Sequence, residues 1–283
     1  MECARFCSTT GAVEPTLGAL RLHMVDRKQN PQLGLILSLV ASMALSLAGL
    51  LLVRWLAPAP WLHANNEVAG NYLQTLGTIY AVLLAFVVFV VWQQHNDVRG
   101  ALEAEANELL DLDRITQAFP EAIGAQLRAC TRAYCQAVIG EEWQAMARSQ
   151  PSEAAERALE DIWQALAVFT PQTPRQEVLY AQALDLLDDL SNARSHRLHC
   201  SRLRLPPTLW VLLLTNGGLV TASMWLFGLE SFWAHALMTV ALTGSIAFVL
   251  CLIADLDNPF WGAWRVTAEP FQQALARRQP GAP

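Results

Sequence analysis

The sequence predicts an all-α polytopic membrane protein with four transmembrane helices and a helical cytoplasmic domain between the second and third. Three observations lead there. Of 283 residues, 53% are hydrophobic and only 16% charged, whereas soluble domains carry about 25% charged residues. The shortage is concentrated in four nearly charge-free windows, at 33–53, 73–92, 209–229 and 234–254. Each window matches the roughly 20 helical residues that a bilayer core requires, and backbone crossing lipid must satisfy its own hydrogen bonds. Basic residues are also lopsided. Four Lys or Arg precede the first window, one follows it, eleven lie in 93–205, none falls between the last two windows, and three lie in the tail. The positive-inside rule then places both termini and the central segment in the cytoplasm of a multi-pass protein of the plasma membrane. Four such windows in a 31.2 kDa soluble protein would leave too little polar surface.

The elements follow in order. Residues 1–32 form a cytoplasmic tail that contains Arg5, Arg21, Arg27 and Lys28 and has no cleavable-leader pattern. Met24 stands as an alternative start, with 1–23 otherwise a disordered tail. The first span, 33–53, ends at Arg54 and Trp55, and the outer loop at 57–70 carries Pro58 and Pro60. The second span, 73–92, runs on without a Gly-Pro break, and Val98, Leu102, Ala106, Leu109, Leu112 and Phe119 recur at helical spacing. This predicts one long helix that leaves the membrane and ends at Pro120. Further helices are expected over 120–149, over 152–169 with Ser152 as N-cap, and over 175–203. Gln93 to Leu205 is therefore the helical cytoplasmic domain. Spans three and four (transmembrane region 206–254) form a hairpin through a short outer turn, and 255–283 is a cytoplasmic tail.

Six cysteines (Cys3, Cys7, Cys130, Cys135, Cys200, Cys251) form no CxxC pair. Placed in a reducing compartment, they read as packing residues or inert thiols. No Walker loop, nucleophile elbow, zinc-protease signature or dinucleotide fingerprint is present, so no catalytic residue, cofactor or nucleic-acid partner is expected. His196 and His199 beside Cys200 have helical spacing for a metal, but Arg194, Arg197, Arg202 and Arg204 surround them and oppose a cation. These four arginines are expected at the basic flank of span three. There they would contact lipid phosphates, or form a basic ring if the protein is a symmetric oligomer.

The spans lack charged residues, which disfavours a proton relay. In span two, however, Asn71, Gln74, Thr78, Ala81, Ala85, Val88 and Trp92 recur with steps of three and four. Such a stripe is either a packing seam or a water-exposed lining, and the residues alone leave both open. Packing explains Gly218 and Ala222 in span three, and Thr239, Thr243 and Gly244 in span four. Asp255 and Asp257 cap or solvate the inner end of span four, with contact to an ion as the lesser reading.

Several of these stretches occur together in one known family. The span-two run YAVLLAFVVFVVWQQ with EAEANELLDLDR, the EEWQAMA run, RLRLPPTLW before span three and DLDNPFWGAWRV after span four resemble the bacterial bestrophin-like membrane family. The resemblance covers about residues 30–275. It implies four spans, cytoplasmic termini and a helical cytosolic domain. It also implies kinship with bestrophins, which are pentameric anion-permeable channels whose second span lines the pore. Their tail motif is matched here by Asn258, Pro259 and Phe260. Animal bestrophins follow that motif with a calcium-binding acidic run, but Trp261-Gly262-Ala263-Trp264 stands here instead, so calcium gating is not implied. The apolar constriction of those pores corresponds only loosely to Val88 or Phe89. The implied function is an oligomeric ion channel of the bacterial inner membrane, with anions as the candidate permeant ions. Its partners would be membrane lipid, inorganic ions and copies of itself. The competing reading is a non-conducting scaffold or sensor that couples the membrane to cytosolic partners.

Overall fold

In the computed structural model, residues 31–57, 62, 66–146, 150–260 and 262–276 are described. Expectations for residues 1–30, for Pro58 and Pro60 and for Trp261 lie outside them. Helices dominate the described residues, with no strand among them. The order is α1 (Pro31–Leu56), α2 (Asn66–Thr116), α3 (Glu121–Ala137), a π-helical segment (Val138–Glu142), α4 (Trp143–Met146), α5 (Glu153–Ala167), α6 (Pro174–Arg202), α7 (Pro207–Trp225), α8 (Phe232–Leu256) and α9 (Glu269–Ala276). Four of the helical segments are long and apolar enough to cross a membrane. The chain divides into two compact units, residues 1–88 with 206–254 and residues 89–205 with 255–283.

The apolar unit holds α1, the first part of α2, α7 and α8. Small residues let its helices approach, as membrane packing requires where no hydrophobic drive separates helix from lipid. The indole of Trp225 lies over Gly49, Met43 lies over Gly244, and Thr243 Oγ1 donates to Ser46 Oγ at 2.8 Å. Thr243 and Gly244 are thus the packing residues expected of the fourth span. In the third span the position shifts by one. Nothing lies within 4 Å of a Cβ built on Gly218, whereas one built on Gly217 would sit 2.8 Å from the Tyr80 hydroxyl. At the far end of the unit, Asn66 makes a two-way clamp with Gly228, donating at 3.1 Å and accepting at 2.7 Å. Arg54 donates to the Leu229 carbonyl and lies over the Phe232 ring.

The polar unit has its own core. Val98, Leu102, Ala106, Leu109 and Leu112 of the α2 continuation, with Phe119 just past its end, are all buried, as their spacing predicts. Leu127, Tyr134, Ile162, Leu166, Leu187 and Leu190 join them from α3, α5 and α6. Ser152 caps α5 as predicted, its hydroxyl accepting from the amides of Ala154 and Ala155. The helix expected over 120–149 departs from plain α geometry. Its hydrogen bonding lengthens to the π pattern over Val138–Glu142 before α resumes. A π turn is rare and is frequently found at functional sites.

Candidate functional site

The α2 helix presents three faces. Tyr80, Val87 and Val91 are buried, and their spacing of seven and four puts them on one line. At 100° per residue, Asn71, Gln74, Thr78, Ala81 and Ala85 lie about 130° around from that line. All five are exposed. Val88 is half-buried and Trp92 is 45% exposed. A third face carries Tyr72, Ile79, Val82 and Phe86, large apolar groups exposed by 52–68%. The small polar stripe is therefore separate both from the seam that packs inside the chain and from the bulky face. Its one hydroxyl, and that of the neighbouring Thr75, bond to the helix backbone. Thr78 donates to the Gln74 carbonyl at 2.8 Å, and Thr75 to the Asn71 carbonyl at 2.9 Å, the usual bonding of a helical threonine to its own backbone.

The arginines of α6 sit differently from the expectation. Arg202 is exposed and Arg204 half-buried, but Arg194 and Arg197 are buried, so these two are neither lipid contacts nor members of an exposed basic ring in the folded chain. Arg197 is fully enclosed. Its Nε and Nη2 bind both oxygens of Glu105 at 2.5 and 3.1 Å, and Nη2 also reaches Glu142 Oε2 at 2.5 Å. Arg194 donates to Glu142 Oε1 at 2.8 Å and to Glu156 near the surface. Tyr134 completes the set by donating to Glu105 Oε1 at 2.6 Å. The reason lies in the α6 pattern: Leu187, Leu190, Arg194 and Arg197 step by three and four, so the arginines continue the inward leucine line.

Two buried carboxylates thus meet two buried guanidiniums. Burial opposes the charge on Arg197, but Glu105 and Glu142 outweigh it and the pKa of Arg197 is raised. The Tyr134 phenol is pushed well up by burial and by Glu105, which keeps it a neutral donor. Glu142 is the last residue of the π segment, so the irregular turn supplies one of the four charges. The sequence carried a signal for this cluster. Glu105 falls between Leu102 and Leu109 on the inward line of α2, and opposite charges on two apolar lines mark a buried pair.

The tail motif closes a latch. Asp257 Oδ1 accepts from the Leu205 amide at 2.7 Å, and Asn258 Oδ1 accepts from Arg204 at 3.1 Å. Phe260 is buried with its ring edge-on to Trp143 at 5.5 Å. Asp255 is buried and accepts from the Ala263 amide, and Gly262 has φ +102 with its α-carbon turned toward that carboxylate. A side chain there would be strained by the backbone and would press on Asp255. Asp255 and Asp257 thus accept from backbone amides after α8 and before α7, a structural role that differs from capping the end of span four. His196 and His199 are exposed, and Cys200 lies within 3.9 Å of the His196 ring. Among the described residues no group of three or more His, Cys, Asp or Glu could hold a metal ion.

A helical membrane protein with one polar, outward-facing line on a long second span is the class that fold and site define. The chain belongs to the bestrophin-like family, whose domain model matches residues 40–271. Among solved structures, a point variant of a bacterial bestrophin homologue from Klebsiella pneumoniae is similar at 13% identity, with 86% of this chain and 98% of that chain covered and a TM-score of 0.66. The Klebsiella homologue solved by zinc phasing is similar at 14% identity, with 86% and 96% covered and a TM-score of 0.63. A point variant described as a membrane protein gives 15%, 86% and 96%, and 0.63. No curated protein matches the chain by sequence.

Proposed function

We propose that this chain is a homo-oligomeric ion channel of the bacterial inner membrane, with both termini cytoplasmic and the α2 stripe lining the pore. One observation carries the reading: Asn71, Gln74, Thr78, Ala81 and Ala85 are all exposed, on a line of α2 apart from the buried Tyr80, Val87 and Val91. A line of small and polar side chains whose one hydroxyl is bonded to the helix backbone suits a water-filled lumen, and bulky Phe86 and Val82 suit lipid or a neighbouring copy. The family supports the same axis, since bestrophins carry their pore on the second span. A pentamer, by the same analogy, brings five stripes around one axis. Anions are the first permeant class to test. Of the four arginines considered for a basic ring, Arg202 and Arg204 remain its candidates, while the buried Arg194 and Arg197 do not.

Planar-bilayer recording of the purified oligomer tests this. Current is expected from the wild type. Ala85→Asp should change single-channel conductance or ion preference while the oligomer still elutes at its wild-type size, because a charge beside a narrow lumen acts directly on passing ions. Silence of the wild type across salts and voltages, with the oligomer intact, turns the reading to its competitor, a membrane scaffold or sensor. That second reading rests on α2, a single helix of 51 residues shared by the apolar and polar units.

A further inference from the structure

A cleft of about 560 Å³ opens in the polar unit between α2 just beyond Trp92 and the tail segment that leads into α9. Its size falls in the range of small-ligand sites. From α2 come His95, Arg99 and Glu103, and from the tail Arg265, Thr267 and Glu269. Each wall therefore offers one carboxylate and one guanidinium. A cleft of one sign would select an anion or a metal; this one has both.

The partners of these groups are weakly committed. Arg99 meets Glu103 at 3.2 Å, but both are more than half exposed, and such a pair is worth little and rearranges readily. Among the described residues Glu269 accepts from the Gln273 side-chain amide, at 3.1 Å. Arg265 has no ion-pair partner among the described residues, and His95 Nδ1 is buried without a hydrogen bond. Burial and the Arg99 charge lower the His95 pKa, so at neutral pH it meets a ligand as a neutral imidazole. The floor is apolar, with Leu102 and Ala106 on one side and Ala274 on the other. It is also fixed: Phe271 is fully buried, its carbonyl accepts from Cys135 and its ring lies under Arg197. Two indoles lie nearby. Trp92 and Trp264 stand edge-to-face at 6.4 Å, each about half exposed, and Trp92 ends the apolar run of α2. Tryptophan in that position marks the headgroup level of a bilayer.

We propose that this cleft binds a zwitterionic phosphate headgroup of the phosphoethanolamine class, its phosphate at Arg265, His95 and Thr267 and its ammonium between Glu103 and Glu269. The proposal does not depend on conduction. The headgroup can come from a lipid or from a soluble phosphodiester, and the test separates them. The purified oligomer is incorporated into nanodiscs of phosphatidylethanolamine with phosphatidylglycerol, or of phosphatidylglycerol alone. Hydrogen exchange is then followed in 265–276, and lipid retention is counted by native mass spectrometry.

Protection of 265–276 only where phosphatidylethanolamine is present, with selective retention of that lipid, is the expected result. Arg265→Ala should lower its apparent affinity about tenfold, with Arg265→Lys recovering part of the loss. Equal protection by soluble glycerophosphoethanolamine in detergent upholds the site and assigns it to the soluble source. Equal retention of the two lipids, or an Arg265→Ala variant that binds as the wild type does, overturns the proposal. So does full protection of 265–276 in the lipid-free oligomer, which would make the cleft a contact between copies.

Discussion

Removing the guanidinium of Arg197 leaves the carboxylates of Glu105 and Glu142 facing one another in the interior. Breaking a buried ion pair from one side typically costs about 3–5 kcal/mol. Arg197→Met should therefore lower the unfolding midpoint of the detergent-solubilised protein sharply, while Arg202→Met, at an exposed site, stays within about 0.5 kcal/mol of wild type. Adding Glu105→Gln to Arg197→Met should recover part of the loss, because it removes one of the stranded charges. A double variant no more stable than the single one would mean that the cluster does not act as a charge-balanced unit. The α6 arginines also show where the residue types misled. Four arginines before a transmembrane span fit the positive-inside pattern, and that pattern concerns loops and flanks. The helical line through Leu187 and Leu190 was the finer guide, because it passes through Arg194 and Arg197 and misses Arg202.

At the scale of elements, the contact between α2 and α7 turns on one hydroxyl. Tyr80 is 3% exposed and its hydroxyl has no hydrogen-bond partner, a group whose burial is uncompensated. Gly217→Ala should destabilise the protein by about 1–3 kcal/mol through overcrowding, since the added carbon would meet that oxygen at 2.8 Å. Tyr80→Phe should be neutral or stabilising alone, and should rescue Gly217→Ala. The same substitution at Gly218, where nothing lies within 4 Å, should have little effect on packing. Thermal melts of the five proteins in one detergent check this; a Gly217→Ala penalty untouched by Tyr80→Phe would place the clash elsewhere. Most element boundaries were legible because their causes are local: Ser152 caps, Pro206 and Pro207 restart, and apolar runs end at charges. The choice between Gly217 and Gly218 was not. It depends on the rotation of α7 about its axis, which a neighbouring helix sets.

For the whole molecule, the distribution of basic residues predicts which ends face the cytoplasm. In a variant whose native cysteines are replaced, Glu230→Cys in the short α7–α8 turn should react with a membrane-impermeant thiol reagent in intact cells. Thr170→Cys, between α5 and α6, should react only after the cells are opened. The reverse pattern would invert the proposed topology. The four spans and the all-helical class were readable from composition because lipid imposes a length and a polarity on every crossing segment. The ligand cleft was not readable. Its walls are about 155 or more residues apart in sequence, and only folding of the tail against α2 brings Arg265 opposite Arg99.

The π segment bears on how relatives at 13–15% identity are aligned with this chain. A π turn holds one residue more than an α turn over the same course of chain. A homologue with a plain helix there therefore matches only through a one-residue gap within Val138–Glu142. Placing that gap before residue 121 instead would slide α3 by one position and turn its assigned faces by about 100°. Tyr134 would then be paired with a surface position and Arg132 with a core one. Inferred substitution patterns along α3 would describe the wrong side of the helix.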